Sequence, residues 1–185
     1  MIILKRGAGM QNLSRLHRLS GTLYLVALVL SVLLPLLVLA FAAKAVGDPA
    51  SLVARIPNLV EDTTVSRVQA GLVAALALIS VLPMVAALRA MVRLFSRYRD
   101  GEVLSEANAE TILGIGRALV LVAVFTVVLP TLQILILSWN APQRTLSIGV
   151  DGGTLGFFMA AGLLTVIGWA MREGARVKAE NEGFV

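Results

Sequence analysis

Four long stretches of the chain carry no charged residue: Leu19–Ala43, Val68–Leu88, Ala118–Gln143 and Gly152–Met171. Each meets the roughly 20 residues that a helix needs to cross about 30 Å of hydrocarbon. Apolar positions run on within them, without the apolar–polar alternation of a membrane barrel strand. Lipid offers no partner to an unpaired backbone group, so a helix is the natural spanning form. The pattern predicts an all-α membrane protein with four transmembrane helices, at about residues 21–43, 68–88, 117–138 and 154–171.

Polar positions gather between the second and third runs, in RAMVRLFSRYRDGEVLSEANAETILGIGR, residues 89–117. On a helical wheel Leu88, Met91, Val92, Phe95 and Tyr98 share one face, and Arg89, Arg93, Ser96, Arg97 and Asp100 the opposite one. Gly101 is suited to the left-handed cap that ends such a helix. Ser105 is a good N-cap for the next, with Glu106 in the first turn, where the helix dipole favours a negative charge. Asn108 stands where a full capping box would have Glu or Gln. The segment reads as a helical hairpin leading out of one span and into the next.

The other connections are shorter of charge. Asp48-Pro49 looks like an N-cap followed by proline at the first helical position, and Pro57 would end that short helix. Leu52, Val53, Ile56, Leu59 and Val60 make the segment apolar enough to pack on the outer membrane surface or on the second outer loop. In that loop Pro142 and Asp151-Gly152-Gly153 are turn signals. Trp139 and Trp169 are placed as interfacial anchors, and Tyr24 lies near the inner interface. Pro35, Pro83 and Pro130 imply kinks that neighbouring helices must accommodate. Pro35 and Pro130 sit at similar depth, in SVLLPLL and VVLPTLQIL, which hints at two related hairpins. Gly156, Gly162 and Gly168, six residues apart, would permit close helix packing.

The chain opens with a basic leader, KRGAGMQNLSRLHRLSG, with Leu13, Leu16 and Leu19 near one face. Ala40-Phe41-Ala42 has the small residues of a signal-peptide cleavage site. The preceding apolar run is about twice the usual 7–15 residues of a signal sequence, so an uncleaved first helix is expected.

Composition agrees with the pattern: 58% of 185 residues are hydrophobic, and mean hydropathy is +0.88. The net charge of +5 would suit nucleic acid, but its distribution reads differently. Of 16 Lys and Arg, 12 lie in the leader, the central hairpin and the tail, and four in the other two connections. Positive-inside asymmetry then puts both termini and the hairpin in the cytoplasm, where anionic lipid headgroups would assist. Direct nucleic-acid binding is not expected. We read residues 1–185 as a single four-helix transmembrane domain, with 172–185 a charged cytoplasmic tail.

Candidate chemistry is sparse. The chain has no cysteine and one histidine, His17, so thiol catalysis, Cys-based metal centres and bis-His haem are excluded. No Asp, Glu, Lys or Arg lies within the spans, as a proton relay or ion pathway would require. Gln133 is the most polar residue there, beside Ser31, Ser80, Thr126, Thr131 and Thr165; interhelical hydrogen bonding is the ordinary work of such groups. Glu102, Glu106 and Glu110, four apart, read as a solvated face. No catalytic residue, cofactor or metal ligand is expected.

Leu94-Phe95, Tyr98, Gly101, Val103-Leu104-Ser105, Asn108 and Ile115-Gly116 resemble the pattern of a bacterial four-helix integral membrane family, domain of unknown function 2975. The tail Glu180-Asn181-Glu182-Gly183-Phe184-Val185 is similar to the acidic, hydrophobic-ended terminus common there. Leu104 departs from the pattern, standing where the family often has an aromatic. The resemblance implies the bacterial cytoplasmic (inner) membrane and no established enzymatic activity. Members often lie beside a small helix-turn-helix regulator, which implies a membrane partner for such a protein.

The expected function is therefore a non-enzymatic regulatory or adaptor protein. It would bind a cytoplasmic protein through Arg89, Arg93, Arg97, Tyr98, Gly101, Ser105, Asn108, Phe184 and Val185. The alternative is an accessory subunit of a larger membrane complex, and after it a small neutral-solute transporter.

Overall fold

The computed structural model describes residues 3–53, 64–102, 105–140 and 149–182. Its elements are α1 (Ile3–Gly47), α2 (Ala50–Val53), α3 (Arg67–Arg99), α4 (Glu106–Leu137), a 3-10 turn at Ser138–Asn140, and α5 (Gly152–Glu182), with no strand among the described residues. Four segments are long and apolar enough to cross a membrane: Arg18–Gly47, Arg67–Arg99, Glu106–Leu137 and Gly152–Val177.

The helices outrun the uncharged stretches. The basic leader belongs to α1 from Ile3 onward, and the charged tail belongs to α5 as far as Glu182. Lys, Arg and Glu are good helix formers, and neither segment contains a proline to stop propagation. Pro35, Pro83 and Pro130 lie inside α1, α3 and α4, which continue through them.

The packing is that of helices built for lipid. Among the described residues half of the buried hydrophobic ones are alanine, while Leu25, Leu36, Leu82, Leu163 and Met159 are among the large side chains left exposed. In water this distribution would waste the apolar area that drives folding. Lipid is as apolar as leucine, so helices there associate by close packing, and small residues belong at their contacts. On α1 the buried positions Ser20, Ala27, Ser31, Ala42 and Ala45 keep to one narrow seam.

The internal contacts group into two units. One comprises Val32–Val85 and Ala118–Ala161. Its core is Ala45, Leu52, Ala70, Val73 and Leu137, with Phe41, Val65 and Ile136 packed against it. Leu52, only 1% exposed, is delivered there by α2. The short helix starts at the expected place: Asp48 O accepts the amide of Ser51 at 3.1 Å and its hydroxyl at 2.7 Å. Thus Leu52 is a core residue, packed against α1, α3 and α4 rather than resting on the membrane surface. Ile56, Pro57, Leu59 and Val60 lie outside the described residues.

In the same unit Ser66 and Gln69 form a reciprocal capping box at the start of α3. The Ser66 amide donates to Gln69 Oε1 at 2.8 Å, and the Gln69 amide to Ser66 Oγ at 3.2 Å. Gln69 Nε2 then donates to Ile136 O at 2.9 Å, capturing one of the last four carbonyls of α4, which helix geometry leaves short of α-helical donors. At the start of α5, Asp151 is the N-cap. Its Oδ1 accepts the Thr154 amide at 2.6 Å, so Asp151-Gly152-Gly153 opens a helix where a turn was expected.

The other unit comprises Met1–Ser31, Ala86–Arg117 and Gly162–Val185. Here α4 and α5 run antiparallel with backbone against backbone. A β-carbon at Gly116 would meet Thr165, and one at Gly168 would meet Leu113. These pairs and the Glu110–Arg172 ion pair, 3.7 Å, follow one antiparallel register. Of the three glycines six apart, Gly168 alone makes a close approach; a β-carbon at Gly156 or Gly162 would meet nothing within 4 Å. The Arg99 guanidinium lies 5.4 Å from the ring centroid of Tyr24, joining α1 to the last turn of α3.

Candidate functional site: the hairpin between α3 and α4

Gly101 takes φ +85°, the left-handed conformation that a side chain disfavours. With it the end of α3 forms a Schellman motif. The Glu102 amide donates to Arg97 O at 3.0 Å, and the Gly101 amide to Tyr98 O at 3.3 Å. Ser105 begins α4 as anticipated, its Oγ accepting the Asn108 amide at 3.3 Å.

Asn108 then closes the turn. It is fully buried, and its Nδ2 donates to Glu102 O at 2.6 Å, reaching back across the hairpin. Where a Glu or Gln would complete a capping box on its own helix, the shorter Asn binds the loop instead. From the other side Arg97 Nη1 donates to Ala107 O at 2.9 Å, Thr111 Oγ1 at 3.1 Å and Asn108 Oδ1 at 3.4 Å. The Thr111 hydroxyl gives its proton to Ala107 O, so its lone pairs are free to accept from the guanidinium.

This placement of Arg97 differs from the expected face. The buried row on α3 runs Ala87, Ala90, Leu94, and Arg97 continues it one turn further. Leu88 is also buried, whereas Met91, Val92, Phe95 and Tyr98, drawn on the wheel as the apolar face, are half-buried. Apolar content did not single out this row because two of its positions, Ala87 and Ala90, are small.

Arg89 and Arg93 are exposed, four residues apart on one stripe, and bond to none of the described residues. So the nominated residues divide. Arg97, Gly101, Ser105 and Asn108 come together in one latch, with Tyr98 supplying a backbone acceptor to it. Arg89 and Arg93 stand apart on the surface. Phe184 and Val185, like Leu104, lie outside the described residues. Glu102, Glu106 and Glu110 are all exposed, as expected of a solvated face; on it Glu110 lies 3.7 Å from Arg172, and Glu106 lines a surface cleft with Trp169, Arg172, Glu173 and Arg176. Trp139 and Trp169 are both largely exposed.

Sequence reasoning passed over Gln69, although Ser66-Arg67-Val68-Gln69 is a capping-box signature. It also passed over Gly116 as a helix contact and over the Arg99–Tyr24 pair, neither of which any local pattern announces. Among the described residues no group of three or more His, Cys, Asp or Glu could hold a metal ion.

The family model described as protein of unknown function (DUF2975) matches residues 45–184. No curated protein and no solved structure matches the chain. The match takes in the whole of α3, the latched hairpin and α4, and reaches past the last described turn of α5. It spans well over half of the sequence, and the chain belongs to this family of unknown function.

Proposed function

We propose that this membrane-type helical protein is a non-enzymatic adaptor in a bacterial cytoplasmic membrane. Both termini and the α3–α4 hairpin would face the cytoplasm, and the hairpin and tail would bind a cytoplasmic protein. A helix-turn-helix regulator is the partner class that the family resemblance implies. The observation that carries the reading is the division of labour among the arginines. Arg97 is consumed in holding the turn, while Arg89 and Arg93 stand on the exposed face of α3 that leads into it, without partners among the described residues. A helix presents such charges at fixed spacing beside a turn that side-chain bonds hold in place, which lowers the ordering cost of binding an acidic surface. The absence of intramembrane charge counts against ion-coupled transport.

The test is photocrosslinking in cells from a reactive amino acid at Asp100, with and without Arg89→Glu and Arg93→Glu together. The reading expects one cytoplasmic protein to be captured and lost on charge reversal, with the membrane protein accumulating normally. Capture of lipid alone would reduce the stripe to a headgroup and topology signal. Capture of membrane-embedded subunits instead would favour the accessory-subunit reading.

A further inference from the structure

A second polar feature lies in the other unit and is independent of the adaptor reading. Between α3 and α4 a surface cleft of about 300 Å³ is lined by Ser80, Phe125, Thr126, Leu129, Pro130 and Gln133. The half-buried Gln133 amide makes no hydrogen bond to any described residue. Pro130 has no N–H, so the Thr126 carbonyl, one turn earlier, loses its ordinary helical donor. The hydroxyl protons of Ser80 and Thr126 are already given, to Ala77 O at 2.6 Å and Val122 O at 3.0 Å. Both oxygens therefore offer only lone pairs. The cleft thus holds one amide donor group among several acceptors, walled by Phe125 and Leu129, and no charge.

In hydrocarbon such groups must find partners, because water is scarce and an unpaired buried polar group is costly. The occupant must be uncharged, since nothing in the cleft compensates a charge. It must bring a donor, which phospholipid esters lack. Depth gives a third constraint: Gln133 is about 6 Å of helix rise below the end of α4 at Leu137, just beneath exposed Trp139. The hydroxyl of an amphiphile sits at that level. Gln133 lines the wall of the cleft, within reach of a small head group. We infer that this cleft binds the hydroxyl head of an uncharged, lipid-soluble alcohol entering from the bilayer. The head donates to the Thr126 carbonyl or a hydroxyl oxygen and accepts from Gln133 Nε2.

The test uses the full chain in liposomes of phosphatidylethanolamine and phosphatidylglycerol, with a diazirine-bearing hexadecanol as probe and its methyl ether as control. The alcohol is expected to label the α4 segment around residues 122–133 about fivefold more than the ether, the factor one net hydrogen bond is worth. Gln133→Leu should lower the alcohol's labelling towards that of the ether in the unsubstituted protein, with labelling of α1 unchanged. Equal labelling by alcohol and ether, or full labelling in Gln133→Leu, overturns the inference. So does efficient disulfide dimerisation of Gln133→Cys in this cysteine-free chain, which would give the cleft to a second copy.

Discussion

Gly116 of α4 lies so close to Thr165 of α5 that a β-carbon there would stand 2.7 Å from the Thr165 amide nitrogen and 2.8 Å from its α-carbon. Gly168 repeats the arrangement, with a β-carbon placed 2.5 Å from the Leu113 amide nitrogen. At Gly116 the Thr165 hydroxyl is nearer still, at 2.5 Å, but at both points backbone atoms stand within 3 Å, and backbone cannot step aside as a flexible side chain would. Close approach of this kind is what holds helices together where the hydrophobic effect does not act.

Gly116→Ala and Gly168→Ala should therefore each destabilise the folded protein by about 1–3 kcal/mol, the usual cost of overpacking. Gly114→Ala is the control. A β-carbon there meets nothing within 4 Å, so the substitution should be neutral or gain up to about 1 kcal/mol of helix propensity. Thermal unfolding in a single detergent separates the two outcomes.

The hairpin latch makes a second prediction. Asn108→Leu removes the donor to Glu102 O and leaves buried polar atoms without it, costing about 1–3 kcal/mol. Hydrogen exchange should quicken across residues 98–111 and stay unchanged in the core around Leu52. Arg97→Ala should loosen the same segment, and Arg93→Ala should not, since Arg93 bonds to no described residue. If partner binding falls in Arg97→Ala, the cause is the shape of the turn as well as a lost charge.

Gln69→Ala dissolves the capping box of α3 and frees the Ile136 carbonyl in one step. Loss of a cap alone costs about 0.5–2 kcal/mol, and this residue joins two helix ends. Gln69→Glu keeps the acceptor for the Ser66 amide and loses the donor to Ile136. It should restore protection at the start of α3 without restoring it at the end of α4, read by amide exchange.

Asp151 gives the pH dependence. The Thr154 amide, and then its hydroxyl, hold the Asp151 carboxyl below the ordinary aspartate range. A carboxyl whose folded pKa is depressed contributes its stability above the unfolded value, about 3.9, and loses it as the pH falls through the folded value. Exchange at Gly153–Leu155, corrected for intrinsic rate, should thus quicken on acidification below about pH 4. Asp151→Asn keeps an acceptor for the cap and should remove that dependence.

The span pattern was legible because lipid imposes it directly: a charge-free run of sufficient length has few other readings. Gly101 and Ser105 were legible for a related reason, since each acts through its own backbone or within three residues of it. Arg97 was not. Its face is set by which side of α3 meets α4, and the buried row there, Ala87, Ala90 and Leu94, is one that hydropathy on a wheel does not separate from the half-buried Met91, Val92 and Phe95. Gly116 and Gly168 could be listed as small residues, but choosing Gly168 over Gly156 and Gly162 needs the α4–α5 register. The cleft at Gln133 needed both helices, because Ser80 lies on one and Pro130 on the other.

The central claim is that four helices cross a membrane and leave the α3–α4 hairpin and the end of α5 on the cytoplasmic side. The natural chain has no cysteine, so single substitutions report position cleanly. The direct measurement is labelling of Asp100→Cys, Glu180→Cys and Val150→Cys by a membrane-impermeant maleimide, in intact spheroplasts and after lysis. The account predicts labelling of residue 150 in intact spheroplasts, and of residues 100 and 180 only after lysis. Labelling of residue 100 or 180 from outside, or recovery of the protein in the soluble fraction without detergent, would contradict it.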